Sequence, residues 1–404
     1  MIGGIARHLP YLFITILLAA PAFAGPNLPE TIVLSPTVLY QTKKRVMHRD
    51  PMVLPAYNQL IAEAELAADA SIESVTFKKK AGPSNDRRDY WSLSPDWWPN
   101  PKTRNKLPYV QRNGDANPEA ATDTYDRSRL SRMAKNSMTL ALAWYLTGNE
   151  KYASHGTALI WAWCGDASTR ARPNMLYAHS RPGVAEGHHS GIIETRDLIR
   201  VVDAAQILKP SQAWSKATSR TVKKWFSKYA HWLMHSEFGR REALSRDHHG
   251  TWFDAQVAVY AMYTGDTTLA RSIIGTAERR RIVRQIMPDG SMPYELEQPR
   301  SRNATFSTLE AYAVLACVGE RLNIDLWNWA DPVGPSIRQA LNFAAPYIDP
   351  QKKWPHGGTS SFDPYRYVPL FRRAALVYKD SRYLDYLHEL PVTDLTRDRS
   401  ILFY

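Results

Sequence analysis

The sequence twice runs an amphipathic segment into a threonine–glycine turn and immediately out again, which constrains the fold more than any other feature. The run 131–146 stops at Thr147-Gly148-Asn149 and restarts at Glu150, continuing to 163; the run 251–263 stops at Thr264-Gly265-Asp266 and restarts over 267–286. Each is a helical hairpin. Apolar periodicity predicts more helices over 195–208 (ended by Pro210), 211–238, 306–322, 336–347, 367–378 and 381–390. A recurring helix-hairpin unit predicts an all-α chain: an α-solenoid, open or closed into an (α/α) toroid. Strand-like runs are few, over 31–39 and 71–78. Residues 81–120 change character; proline, asparagine, glycine and aromatics dominate, as in a long functional loop.

Residues 1–24 have the build of an export signal. Arg7 and His8 lead into a mostly apolar run from Leu9 to Ala20, and Pro21-Ala22-Phe23-Ala24 is an A-x-A cleavage pattern before Gly25. That run is too short for an ordinary membrane span, and no later segment is apolar enough for one. Residues 25–404 are read as one periplasmic or secreted domain, opening on a linker over 25–35. With only Cys164 and Cys317 the chain is no disulfide scaffold; both lie in apolar helical runs as buried thiols, though export permits a bridge. A formal charge of +12 with 13 Trp and 21 Tyr suits an acidic carbohydrate, because cations hold carboxylates and aromatic faces stack on sugars. Nucleic acid is the competing polyanion, but no nucleic-acid motif is present and the basic residues are dispersed along the chain. Oligomeric state leaves no trace in the sequence.

The residues most suited to chemistry are His248 and His249, followed by Gly250 and a helix start with Thr251 as cap and Trp252, Phe253, Val257 and Tyr260 as its apolar stripe. The 186–189 loop adds His188 and His189. Four histidines could bind a transition metal, but there is no His-Glu-x-x-His pattern or Cys pair, so contact with an anionic substrate is the preferred reading and no cofactor is expected.

Four blocks resemble the alginate lyase superfamily, polysaccharide lyase family 5 and the glucuronan lyases. They are Tyr90-Trp91-Ser92-Leu93-Ser94-Pro95-Asp96-Trp97-Trp98-Pro99 with its continuation through Asn113-Gly114-Asp115; Pro173-Asn174-Met175-Leu176-Tyr177-Ala178-His179; Gly191-Ile192-Ile193-Glu194-Thr195-Arg196-Asp197; and His249-Gly250-Thr251-Trp252 with Asp289-Gly290-Ser291-Met292-Pro293-Tyr294-Glu295. The resemblance implies an (α/α) toroid and β-elimination on uronic-acid polysaccharides without an obligatory metal. It also exposes departures. His248 stands where the family has an asparagine that helps neutralise the substrate carboxylate. Gln298 and Ala304 fall at the family's arginine and catalytic tyrosine, while Arg300 matches a second arginine.

Elimination requires a neutralised carboxylate, a base and an acid. His249 is assigned as base or carboxylate-side donor, and His248 as a cationic replacement for the amide. Arg300 or Arg302 is assigned as the carboxylate clamp, and Tyr177, then Tyr294, as the acid. Tyr90, Trp91, Trp97 and Trp98 form a sugar platform or a clamp on the loop. Arg196, Trp252 and Asn303 are candidate substrate contacts, and Asp197 seats its helix. Two other classes compete: a glycoside hydrolase using Asp254 and Glu295 as a carboxylate pair, and a non-catalytic polyanion binder.

Overall fold

A computed structural model describes residues 28–114, 116–357, 361–390 and 395–404; the expected signal segment lies outside them. The chain opens with α1 (Pro36–Met47) and α2 (Leu54–Asp69), then crosses the aromatic loop through β1 (Trp91–Leu93), β2 (Trp97–Trp98) and β3 (Val110–Gln111). The first hairpin is α3 (Arg127–Thr147) and α4 (Glu150–Cys164). After β4 (Tyr177–Ser180) come α5 (Leu198–Leu208), α6 (Lys216–His235), α7 (Glu237–Ala243), α8 (His248–Thr264) and α9 (Thr267–Ala277). The short α10 (Val283–Gln285) and α11 (Pro293–Leu296) precede α12 (Ser301–Arg321), α13 (Ile337–Ala344), α14 (Val368–Tyr378) and α15 (Arg382–His388).

The two repeated turns explain themselves. Gly148 and Gly265 take φ of 73° and 92°, the left-handed residue that ends a helix. Asn149 and Asp266 then cap the next helix by accepting from Lys151 N and Leu269 N. Such hairpins build a ring, an all-α (α/α) toroid. α2 packs on α3, α3 on α5, α5 on α8, α8 on α12 and α12 on α14; the C-terminal turn Arg399–Leu402 joins α14 back to α2. α8 is the central stave, buried from Gly250 to Ala261, which is why its sequence is apolar nearly all round. One hydrophobic core runs from Ile32 to Leu402. Cys164 and Cys317 are buried free thiols within it.

Several expected boundaries moved, each for a physical reason. The strand-like run 31–39 is not a strand: Ser35 caps α1, and the amides of Ile32, Val33 and Leu34 are taken by the buried Asp203 at 2.6, 3.1 and 2.8 Å. The described part of the expected linker is therefore pinned to α5. Within 71–78 the chain forms a short 3-10 turn, Val75–Phe77. The long helix expected over 211–238 breaks at Ser236, whose hydroxyl accepts from Gly239 N at 2.9 Å and starts α7. Strands occur instead at the aromatic loop, β1 parallel to β4 and β2 antiparallel to β3. These ties fasten residues 91–114 over one mouth of the ring.

Candidate active site

α8 starts earlier than its apolar stripe suggests. Asp247, not Thr251, is the cap, accepting from His249 N at 3.1 Å, so His248 and His249 form the first turn of the helix. Arg281 sets the loop before them by donating to Ala243 O, Ser245 O and the Asp254 carboxylate. A Cβ on Gly250 would lie 2.1 Å from Ser245 O and 2.3 Å from Arg281 Nη1, so only glycine fits behind His249.

The two imidazoles line a cleft of about 360 Å³ between the aromatic loop, β4, α8 and α12. Behind His249 sits the buried Glu242 of α7, which accepts from His249 Nδ1 at 2.7 Å and from His189 Nδ1 at 2.8 Å. Burial opposes the charge on Glu242, but His249 and His189 outweigh it and bring its pKa to about 2. Burial likewise opposes the charge on His249, yet Glu242, with Asp247 and Glu295, raises its pKa to about 9. His249 is therefore an imidazolium at neutral pH. With Nδ1 held from behind, Nε2 is the end left for the cleft.

His248 has its own support. Its Nδ1 meets Glu295 Oε2 at 2.9 Å, and Glu295 Oε1 accepts from Thr308 at 2.7 Å. A third set lies across the cleft: Glu194, 3.3 Å from His179 and 3.4 Å from Arg127, accepts from the Tyr90 hydroxyl at 2.9 Å. His188 is pushed down to about 3 by burial and by the nearby Arg181, so it is neutral. Among the described residues no group of three or more His, Cys, Asp or Glu is placed to hold a metal ion.

Among the described residues six arginines line the cleft, Arg112, Arg127, Arg181, Arg196, Arg300 and Arg366, against a single carboxylate, Asp96. Arg366 pairs with Glu310 at 2.6 Å, and Arg300 donates to Gly114 O at 2.5 Å, tying α12 to the aromatic loop. Arg112, Arg181 and Arg196 have no ion-pair partner among the described residues. Each instead lies over a tryptophan: Arg112 on Trp98 at 5.5 Å, Arg181 on Trp97 at 4.9 Å and Arg196 on Trp252 at 5.5 Å. Burial and the charge of Arg366 lower the Arg196 pKa to about 10, still cationic.

This arrangement reassigns several candidates. Trp97 and Trp98, expected as a sugar platform or loop clamp, and Trp252, expected as a substrate contact, each lie under an arginine and are not among the cleft-lining residues. Tyr90 is buried with its hydroxyl on Glu194, and Trp91 packs edge-on to Tyr125 at 4.7 Å. Tyr177 and Tyr294 are not among the cleft-lining residues; Arg246 lies over Tyr294. Arg302 points away, donating to Tyr347 O and Asp349 O and lying 4.0 Å over Phe362. Asn303 does line the cleft, with its amide on Ser361 O, and Asp197 meets Arg200 at 3.2 Å. The carboxylate pair considered for hydrolysis is absent from the cleft lining: Asp254 is buried against Arg281 at 2.7 Å, and Glu295 lies behind His248.

The structure adds residues the sequence did not single out for the site: Glu242, Arg127, Arg181, Arg366 and Tyr367. Tyr367 lines the cleft beside Arg366 although it is only 1% exposed, and its hydroxyl has no hydrogen bond among the described residues. Its ring packs 4.9 Å from Phe306, next to the α12 turn that presents Ala304 and Ser307 to the cleft. Burial raises its pKa to about 12, so the phenol stays protonated.

The family profile described as alginate lyase matches residues 74–354. The solved alginate lyase from Bacteroides ovatus superimposes with a TM-score of 0.87 at 30% identity, covering 93% of this chain and 99% of that one. Alginate lyase A1-III from Sphingomonas species A1 gives 0.53 at 16% identity, over 88% and 96% of the two chains, a likeness of fold alone. A comparison with curated proteins gave no match.

Proposed function

Since this chain belongs to the alginate lyase family and is a polysaccharide lyase, we propose that it is exported and cleaves a 1,4-linked uronic-acid polysaccharide, of the alginate or glucuronan type, by β-elimination. The observation that carries this reading is His249: an imidazolium held from behind by Glu242, in a cleft where three arginines form no ion pair among the described residues. A sugar carboxylate entering there meets Nε2–H of His249 and the Arg196 guanidinium. Both draw charge from C6 and acidify the C5 hydrogen.

His248 then serves as the base. In its neutral form the hydrogen bond to Glu295 places the proton on Nδ1 and leaves the Nε2 lone pair to accept. As C5–H breaks, the C4–C5 double bond forms and C4–O4 breaks. The leaving O4 takes its proton from Tyr367, the protonated phenol in the cleft, which fills the role left open by Ala304. His249 thus acts on the carboxylate side.

Incubation of the mature protein with alginate and with glucuronan is expected to raise near-ultraviolet absorbance as the conjugated product accumulates. New reducing ends without absorbance, or no product from any polyuronate, would overturn the proposal. Export predicts that the protein recovered outside the cytoplasm begins at Gly25.

A further inference from the structure

The outer helix α6 carries no aspartate or glutamate in its 20 residues. Its exposed side is a row of basic groups, Lys216, Arg220, Lys224, Lys228, His231 and His235, spaced by four or three residues. That spacing stacks them along one face over about 28 Å. None of the lysine and arginine side chains in the row has an ion pair or hydrogen bond among the described residues. Like charges one turn apart repel and weaken a helix, and Lys216 also sits at its positive end, so the row is electrostatically uphill in the free protein.

The row leads to the cleft. At Ser236 the chain turns directly into α7, whose inner side supplies Glu242 to His249 and whose outer side exposes Arg240 and Arg241. The charge of Arg241 is felt by Arg181 in the cleft and by His188. The aromatics of α6, Trp225 and Tyr229, are buried on the opposite face, so the track offers charge without the exposed stacking surfaces that single-stranded nucleic acid uses.

We propose that the α6–α7 face is a second holding surface for the polyuronate chain, gripping successive carboxylates of a long polymer outside the cleft while one end is processed within it. This rests on the substrate class proposed above. A sugar acid offers one carboxylate per ring, and the helix offers about one cation per turn.

The test combines Arg220→Glu, Lys224→Glu and Lys228→Glu, all at exposed positions, with circular dichroism to confirm the fold. On long alginate the KM is expected to rise about tenfold with kcat unchanged, while kcat/KM on a tetrasaccharide stays at the wild-type level. Equal effects on polymer and tetrasaccharide, or no effect on either, overturn the proposal. Binding is measured separately on immobilised alginate in a His249→Ala background, so turnover is not required. Salt-sensitive retention should persist in that background and fall when the triple change is added; retention that does not change sinks the idea, even if elimination itself is never observed. Tighter, track-dependent binding to duplex DNA than to alginate would also overturn it. Should charge reversal unfold the protein, the triple glutamine variant gives the same readouts with a smaller expected loss.

Discussion

Glu242→Gln tests the centre of the mechanism with the smallest change of shape. The carboxylate accepts from two imidazoles, one on each oxygen. Glutamine offers one acceptor and one donor, so only one of His249 and His189 can keep its Nδ1–H directed there. The difference between about 9 for His249 in the fold and 6.5 for an ordinary imidazole corresponds to an interaction on the order of 3 kcal/mol favouring the cation. Without Glu242 the largest upward influence goes, and burial is opposed only by the charges of Asp247 and Glu295, so the pKa falls from about 9. At pH 7.5 less of the ring is protonated, and weakening of one preorganised charged donor should lower kcat/KM by roughly 10²–10³. Initial rates of unsaturated-product formation, measured from pH 5 to 10, give the decisive pattern. Wild-type activity should fall as pH rises through about 9, where His249 loses its proton. The variant should be slow at neutral pH, and its loss relative to wild type should shrink toward pH 5, where His249 regains its proton. A variant with wild-type rates, or one whose loss is the same at every pH, would refute the reasoning. Stability follows the same signs. The His249 contribution is complete below 6.5 and is lost as pH rises through about 9; that of Glu242 is complete above 4.5 and is lost as pH falls toward about 2.

Tyr367→Phe should lower kcat about 10²–10⁴-fold with little change in KM, since it removes the acid and leaves the ring packing in place; steady-state kinetics on alginate decide it. Arg196→Met should lower kcat/KM roughly 10–100-fold through the lost carboxylate bond, while the melting temperature scarcely moves because Arg196 forms no ion pair among the described residues. Arg302→Met should do the reverse: about 1–3 kcal/mol less stability in a denaturant titration, as its bonds to Tyr347 O and Asp349 O disappear, with kcat unchanged.

The helical hairpins were legible because a glycine cap followed by Asn or Asp is a local signal, and the histidine pair because two imidazoles beside a glycine stand out in any reading. What sequence concealed was coupling across the ring. Glu242 reaches His249 from a separate short helix, and nothing in its neighbourhood distinguishes it from a surface glutamate. Tyr367 comes from the start of α14, more than sixty positions beyond Ala304, and meets α12 only when the toroid closes. The tryptophans were conspicuous, but composition cannot tell an indole that meets a sugar from one that seats an arginine. Arg302 misled for a related reason: its guanidinium satisfies the carbonyls that end the 345–347 turn.

Arginines resting on indoles rather than on described carboxylates give the cleft an unusual readiness. A guanidinium already paired with an acid must release its counter-ion before taking another, and much of the attraction is lost in that exchange. Over Trp97, Trp98 and Trp252 the cationic ends are steadied by ring faces that do not compete for the incoming anion. On the proposed reading, an arriving sugar acid displaces no side-chain carboxylate from these three arginines among the described residues.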